Sequence, residues 1–461
     1  MRTVERIAVL DIGKTNAKVL VLDCATGAEL SVRRRPNRVL PGPLYPHYDI
    51  EALWAFFCEA LTALNAETGF DAISITAHGA CGVLLDAEGA LALPVLDYEH
   101  VYPAEIRAAY AALRPPFAET FSPALSGGLN LGAQIHYQKT AFADAFARVR
   151  TILTYPQYWA FRLTGIVANE VTSLGCHTDL WQPAAGTFSS LVDRLGIRET
   201  MAPVRSAFDA LGPVRPALAA ELGLGHPVPV HCGIHDSNAS LLPHLVGREA
   251  PFAVVSTGTW VISFGVGGDL QHLDPARDAL ANVDAYGRAV PSSRFMGGRE
   301  FEMLAAELGP YPADDMRPAL AEAVRAGVML LPNVADGSGP FPGRQRMWLN
   351  ADGCDTRLRW AAATLYLSLM SEACLDLVGA AGPVLVEGPF AANGAYLATL
   401  AALLAGRGHR PVLALSGATG TAHGAALLAG ARPVASPAEP VAPLAAAGLA
   451  AYRAAWRHRL A

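Results

Sequence analysis

Six short segments carry residue types that could do chemistry together. Asp11-Ile12-Gly13-Lys14-Thr15-Asn16 sets a carboxylate at the base of a glycine turn, with Lys14, Thr15 and Asn16 at its tip. Backbone N–H groups and a Thr hydroxyl in such a turn can hold a phosphate, and Asp11 can hold Mg²⁺ directly or through water. A plain surface hairpin uses the same residues, so this segment alone leaves both readings open. Ser256-Thr257-Gly258-Thr259 brings hydroxyls and a glycine to a second turn. Two such turns can clamp a polyphosphate from both sides of a cleft. Further glycine features follow at Met296-Gly297-Gly298-Arg299-Glu300, at Glu387-Gly388-Pro389-Phe390-Ala391-Ala392-Asn393 and across 417–426, where Gly420 opens a run of small residues. Asp236, in Gly233-Ile234-His235-Asp236, can accept the proton of a hydroxyl. It can equally cap the apolar helix that follows.

The elements that must position these residues read as two halves. Ile7–Leu10 is an aliphatic run into the first turn, and Ala17–Asp23 alternates as a second strand. A P-loop is excluded, because it needs a glycine-rich loop followed by a helix, and here a strand follows. A third strand is expected near 29–34. Ile50, Leu53, Trp54, Phe57, Leu61 and Leu64 share one face of a helix over 49–65. A buried strand over 72–76 ends at Ala77-His78-Gly79, and strands at 83–86 and 93–96 flank a Glu88-Gly89 turn. Helices and loops fill 103–225. The opening pattern then returns, with a strand at 253–256, a Thr/Gly turn and a strand at 261–264. Two related α/β domains with mixed sheets and flanking helices are expected, 1–230 and 231–461. On that division Asp236 follows the split, while His78 and Asp97 precede it. Closure of a cleft, by rotation near 226–233, is then expected to bring them together.

Composition narrows the function classes. The 461 residues are 52% hydrophobic and 16% charged, with net charge −6. There is ample core and no basic block beyond Arg33-Arg34-Arg35, so nucleic acid is not an expected partner. Mean hydropathy is +0.27, yet no apolar run is long enough to span a bilayer. Glu5, Arg6 and Asp11 interrupt the N-terminal run, so no signal peptide is expected. Seven scattered cysteines with no CxxC pair fit a reducing cytoplasm. His231, Cys232 and His235 lack a fourth ligand at zinc spacing.

Taken in order, these segments resemble the FGGY family of carbohydrate kinases, of the actin-like ATPase-domain superfamily, over nearly the whole chain. Asp11–Asn16 resembles the family's first phosphate loop, Gly233-Ile234-His235-Asp236-Ser237-Asn238-Ala239 its catalytic-Asp motif, and Ser256-Thr257-Gly258-Thr259-Trp260 its second phosphate loop. Residues 387–393 and 417–426 resemble its adenosine region. Lys14 departs from the usual Thr, and Glu387-Gly388-Pro389 interrupts the usual Gly-Gly run. The resemblance implies two ribonuclease H-like domains, the first binding sugar and the second nucleotide, with ATP in the cleft. It implies Asp236 as general base and Asp11 on the Mg²⁺ side. Gly13, Lys14, Thr15, Asn16, Thr257, Gly258, Thr259, Gly297, Gly298, Gly388, Asn393 and Gly420 would meet ATP.

On the sugar side it points to His78, like the sugar-contact strand end of ketose kinases, and to Asp97 and Tyr98, where relatives carry a Trp-bearing segment. His177, Asp179 and Trp181 would brace the first domain. The Ala-His-Gly strand end looks closest to the deoxy-ketohexose branch, L-fuculose or L-rhamnulose kinases, with a pentulose next. A cytoplasmic, ATP- and Mg²⁺-dependent kinase is expected, with a sugar substrate and no membrane, and a homodimer is the candidate assembly. An actin-like nucleotide switch and a non-catalytic sugar-binding regulator are the alternatives.

Overall fold

The computed structural model describes residues 3–405, 411–416, 420–434 and 437–460. They form two compact units. In the first, strand β2 (Asn16–Asp23) runs antiparallel to β1 (Arg6–Ile12) on one side and to β3 (Glu29–Pro36) on the other. Helix α1 (Ile50–Glu67) follows, its N-terminus held by the Asp49 carboxylate, which accepts from Ala52 N–H at 3.2 Å. Ile50, Leu53, Phe57, Leu61 and Leu64 are its buried face, as the helical spacing requires. Strand β4 (Ala72–Ala77) then lies parallel to β1, from Ile7↔Ala72 to Ile12↔Ala77. With neighbours on both sides, β1 and β4 are buried along nearly their whole length, which is why both read as continuous apolar runs.

Residues 93–96 form no strand. Gly82–Leu85 pairs instead with Thr151–Thr154, and a single bridge joins Leu85 to Leu91. Pro94 cannot donate to a ladder. Asp86 Oδ1 also closes a tight turn on the N–H groups of Glu88 and Ala90, at 3.1 and 2.8 Å. Helix α2 (Tyr155–Thr164) leads on to β5 (Ala210–Pro213), β6 (Pro229–His231) and the short β7 (Ile234–His235). The sheet order is β5-β6-β4-β1-β2-β3, and β7 also pairs parallel to β4. Helix α3 (Asp236–Leu245) leaves the end of β7.

The second unit repeats the arrangement. Strands β8 (Phe252–Thr257) and β9 (Val261–Val266) make an antiparallel hairpin. After β10 (Ala279–Val283), β11 (Ala289–Phe295) pairs antiparallel to β9. Helix α4 (Gly297–Leu308) and the 22-residue α5 (Thr356–Leu377), buried on nearly every side, precede β12 (Val384–Glu387), which lies parallel to β8. Helix α6 (Gly394–Ala405) and β13 (Val412–Leu415) follow. The order β3-β2-β1-β4 of the first sheet thus recurs as β11-β9-β8-β12 in the second. Two mixed sheets of the same topology, each with helices, define the α/β class.

Membership of the units is not a simple cut. Residues up to Gly247 belong to the first, which also takes 281–289 and 420–434. Helix α7 (Gly420–Leu428) therefore closes the first unit from late in the sequence. It packs backbone to backbone on α3, because a Cβ at Gly424 would fall on the Ala239 carbonyl oxygen. Asp236 lies in the same unit as His78 and Asp97. The expected need for domain closure to unite them is thereby corrected: the pattern that suggested a split near 230 was a strand ending inside the first unit.

Candidate active site

Parallel strands deliver the first set of groups. β1, β4 and β7 end at one edge of their sheet, with Ile12 opposite Ala77 and Ala77 opposite His235. Asp11 sits near the end of β1, His78 just beyond β4 and Asp236 just beyond β7. The carboxyl ends of parallel strands are where open α/β sheets take ligands.

Asp11 is buried, 7% exposed. Its Oδ2 receives Lys18 Nζ at 3.1 Å and the hydroxyl of Thr421 from α7. Its Oδ1 has no partner among the described residues. The Asp236 side chain is partly buried, 31% exposed; desolvation at the strand end pushes its carboxyl up to about 6, with His78 opposing the rise and the charge of Asp11 adding to it. No group of three or more His, Cys, Asp or Glu suited to a metal exists among the described residues. Two neighbouring carboxylates, with Asp11 Oδ1 unpartnered among the described residues, still fit Mg²⁺. That ion binds through one or two carboxylates and takes its remaining ligands from phosphates and water.

Around His78 stands an aromatic cage of Tyr48, Tyr98 and Tyr155, with ring centroids 5.0–5.7 Å away. Its Nδ1 meets the Gly79 carbonyl at 2.9 Å, and Nε2 is buried without a partner. Burial holds the imidazole down at about 4, so it is neutral at working pH. With Nδ1 donating to the carbonyl, Nε2 is an open acceptor. Lys14 reaches the same place. Its ammonium pairs with Asp97, lies 3.4 Å from Glu99 and stands 4.3 Å from the centre of the Tyr98 ring. The structure thus puts Lys14 with His78, Asp97 and Tyr98. Gly13, Thr15 and Asn16 form the hairpin tip, where Gly13 N–H donates to Asn16 O at 2.8 Å and Thr15 and Asn16 are exposed.

In the second unit a cavity of about 960 Å³ is lined by Gly258, Thr259, Gly298, Phe301, Tyr311 and Asn393, among others. It gathers four of the residues expected to meet ATP and adds two aromatic walls. The Thr257 hydroxyl is committed behind it: it donates to Glu387 O at 2.5 Å and accepts from Phe390 N–H at 3.0 Å. Gly388, at φ +79°, passes so close that a Cβ there would strike the Thr257 carbonyl. Thr257 and Gly388 lock the turn, leaving Gly258 and Thr259 exposed. Gly297 is packed on Val261 and Phe295, while Gly298 faces the cavity. Asn393 Oδ1 takes Tyr396 N–H at 3.0 Å, at the start of α6. Gly420 lies in the first unit, next to the Thr421 that binds Asp11; residues 417–419 are outside the described part.

Several supporting residues escaped the reading of motifs. Gln157 Nε2 donates to the carbonyls of Cys232 and Gly233 at 3.0 and 3.1 Å. Thr172 Oγ1 accepts His235 N–H at 3.0 Å and donates to the fully buried Glu170 at 2.5 Å. Their signal was only polar side chains inside apolar runs, which topology alone can interpret. His177 Nδ1 donates to the Leu129 carbonyl, Arg114 forks onto Asp179 at 2.8 and 2.9 Å, and Trp181 stacks edge-on to Phe188.

Gly79 gives the site a direct test. A Cβ at this position would lie 2.6 Å from His235 Nε2, and that ring is fully enclosed. Gly79→Ala is expected to cost about 1–3 kcal/mol of stability, as core overpacking does. Urea unfolding that matches the parent protein would mean that the ring has room to move.

Comparison with known proteins places this geometry in context. A profile described as the FGGY family of carbohydrate kinases, N-terminal domain, matches residues 6–243, and one described as carbohydrate kinase FGGY, C-terminal domain, matches 249–438. An L-fuculokinase of Salmonella typhi is 23% identical over 263 residues, 56% of this chain and 55% of the relative. The chain thus spans about half the length of that curated relative. A carbohydrate kinase from Novosphingobium aromaticivorans is 37% identical in sequence, with a TM-score of 0.90 over 98% of this chain and 100% of the other. A xylulose kinase from Rhodospirillum rubrum, 20% identical, superimposes with a TM-score of 0.79 over 98% of each chain and shares the fold.

Proposed function

This chain belongs to the FGGY family of carbohydrate kinases, and within it we propose that it moves the γ-phosphate of ATP to a hydroxyl of an uncharged sugar, with Asp236 as general base. The observation that carries this reading is the half-buried Asp236 carboxylate at a strand end, in one unit with Asp11 and the His78–Lys14–Asp97 cluster. In the step itself, Asp236 takes the hydroxyl proton as the sugar oxygen forms its bond to the γ-phosphorus. The bond from that phosphorus to the β–γ bridging oxygen breaks, and ADP leaves with the electron pair. Gly258 and Thr259 supply backbone and hydroxyl donors for phosphate, and the cavity beside them suits the rest of the nucleotide. Asp11, through Oδ1, would hold Mg²⁺, which spreads charge over the phosphates when bound.

The sugar class follows from charge. Lys14 is already shared by Asp97 and Glu99, and Asp11 and Asp236 add negative charge. A sugar acid would meet a surplus of carboxylates. His78 Nε2 and Asp97 instead offer acceptors to hydroxyl groups. A ketose such as L-fuculose or L-rhamnulose fits, with a pentulose next; the L-fuculokinase relative supports the same branch. ADP release across ketoses, aldoses, polyols and aldonates is the test. Stimulation by a neutral sugar is expected, and stimulation by aldonates alone would overturn the substrate class. ATP turnover unaffected by every sugar would point to a nucleotide switch instead.

The pH profile should follow the base. Its carboxyl is raised to about 6, so the ionised form predominates above that value and is lost below it. The ratio kcat/KM should be level above pH 7 and fall about tenfold per unit below pH 6, as a single essential base requires. His78, already neutral, does not contribute in this window. An unchanged kcat/KM from pH 7.5 to 5, with the protein folded, would exclude Asp236 from this role.

A further inference from the structure

Asp236 follows a strand of two residues, β7, which among the described residues pairs with β4 alone. The strand before it on the same side of β4 is β6. It is flanked by β5, with His231 opposite Ala210, and Cys232 N–H still donates to Asp209 O at 2.9 Å. The chain then steps at Gly233, whose φ is +90° and where a Cβ would lie 3.0 Å from Ile75 O. Beyond that step no strand among the described residues lines the outer edge of β7. Its residues are nonetheless buried, Ile234 0% and His235 4% exposed. A buried backbone N–H or C=O without a partner is costly.

Side chains take the place of the missing strand. Gln157, on α2, has Nε2 3.0 and 3.1 Å from the carbonyl oxygens of Cys232 and Gly233, so each of its two amide protons has an acceptor. Thr172, in the short helix Val171–Leu174, accepts His235 N–H on Oγ1 at 3.0 Å. Its hydroxyl proton goes to Glu170 Oε2 at 2.5 Å, and the same carboxyl group takes the N–H groups of Thr172 and Ser173 at 2.9 and 3.3 Å. With that proton committed to Glu170, the oxygen keeps its lone pairs for His235. Gln157, Glu170 and Thr172 are all fully buried, so water does not compete for these bonds.

We infer that Thr172 is a positioning residue: its hydroxyl oxygen stands in for the strand that β7 lacks, and by holding His235 N–H it fixes the backbone from which Asp236 reaches the substrate. This rests on the reading of Asp236 as base. Thr172 acts through the main chain, one residue before the base, and needs no contact with sugar or nucleotide. A two-residue strand held along one edge can pivot about β4. Held along both, it presents Asp236 at one height and one angle, which is the geometric part of base catalysis. A misplacement of about 1 Å at a catalytic group costs on the order of 10²-fold in rate.

The test compares two variants of the full chain. Thr172→Val keeps the shape and removes the oxygen, whereas Thr172→Ser keeps the oxygen and removes a methyl group. At a pH of about 8, where the Asp236 carboxyl is ionised, Thr172→Ser should keep kcat within about threefold of the parent. Thr172→Val should lose on the order of 10²-fold in kcat, with sugar KM and ATP affinity changed by less than about threefold. Hydrogen exchange followed by mass spectrometry reads the cause. The peptide carrying the His235 amide should be protected in the parent and in Thr172→Ser, and should exchange about tenfold faster in Thr172→Val, with β1 and β8 unchanged. Turnover of Thr172→Val within about threefold of the parent overturns the inference. So does an equal loss in Thr172→Ser, which would assign the effect to the methyl group. ATP affinity falling together with kcat, or protection lost throughout both units, would show a general loss of structure and also overturn it. The parent protein decides even if Thr172→Val does not fold, because an unprotected His235 amide excludes the bond. If Asp236→Asn proves fully active while the His235 amide is protected in the parent and freed in Thr172→Val, the base assignment fails and the hold on β7 stands.

Discussion

Asp236→Asn is expected to reduce kcat by on the order of 10²–10⁴, the usual cost of removing a general base, while ATP and sugar still bind. The substitution preserves shape, and the amide oxygen can still accept Ser237 N–H. What disappears is a group able to take the hydroxyl proton. It also removes a half-buried negative charge that desolvation and Asp11 disfavour, so the variant should unfold at least as late as the parent in urea. That combination of lost turnover and kept stability separates a catalytic carboxylate from one that holds the helix start. Near-normal kcat would take the base role away from Asp236. A large loss of stability would identify it as a helix-capping residue.

Gly298→Ala is expected to disable nucleotide binding. A Cβ at Gly298 would drive into the Gly258 carbonyl oxygen and lie 3.1 Å from Thr259 Cα. Both partners are backbone, so neither can swing aside, and the turn must move. Displacements of about 1 Å at a binding constellation cost on the order of 10²-fold, and calorimetry should record at least that loss of ATP affinity, with sugar affinity unchanged. Gly258→Ala is the control. Its Cβ would find no heavy atom closer than Trp260 O at 3.8 Å. It should fold as the parent does and hinder only the approach of phosphate. Unaltered ATP affinity in Gly298→Ala would mean that this turn does not meet the nucleotide.

The sequence was most legible where local chemistry is strict. The hairpins at Asp11–Asn16 and Ser256–Thr259, the strand before His78 and the face of α1 follow from spacing and from turns that need glycine. The fold class followed from their repetition. Roles of single residues inside those motifs were less legible, because they depend on partners distant in sequence. Lys14 stands in a phosphate-loop pattern, yet its long side chain reaches Asp97, 83 positions later. Thr257 has the hydroxyl expected of a phosphate turn, but Glu387 and Phe390 consume it. The small residues after Gly420 suggested nucleotide contacts, whereas Gly424 serves contact with Ala239 and Thr421 binds Asp11. The assignment of Asp236 to the later half failed for the same reason. β7 pairs with β4 across more than a hundred intervening residues, and no local pattern reports that pairing.

Helix α7 has a consequence for how the protein is made. The first unit takes it from residues 420–428, so most of that unit emerges from the ribosome long before its last helix does. At about 5–20 residues per second, the segment carrying Thr421 follows β1 by roughly 20–80 s. Throughout that interval Asp11 lacks Thr421 and α3 lacks the backbone surface of Gly424. The first unit must wait, with its phosphate-side acid unfinished, until the second has been translated. Nascent chains arrested before residue 420 should therefore remain protease-sensitive in β1 and α3, and the site can mature only once both sheets exist.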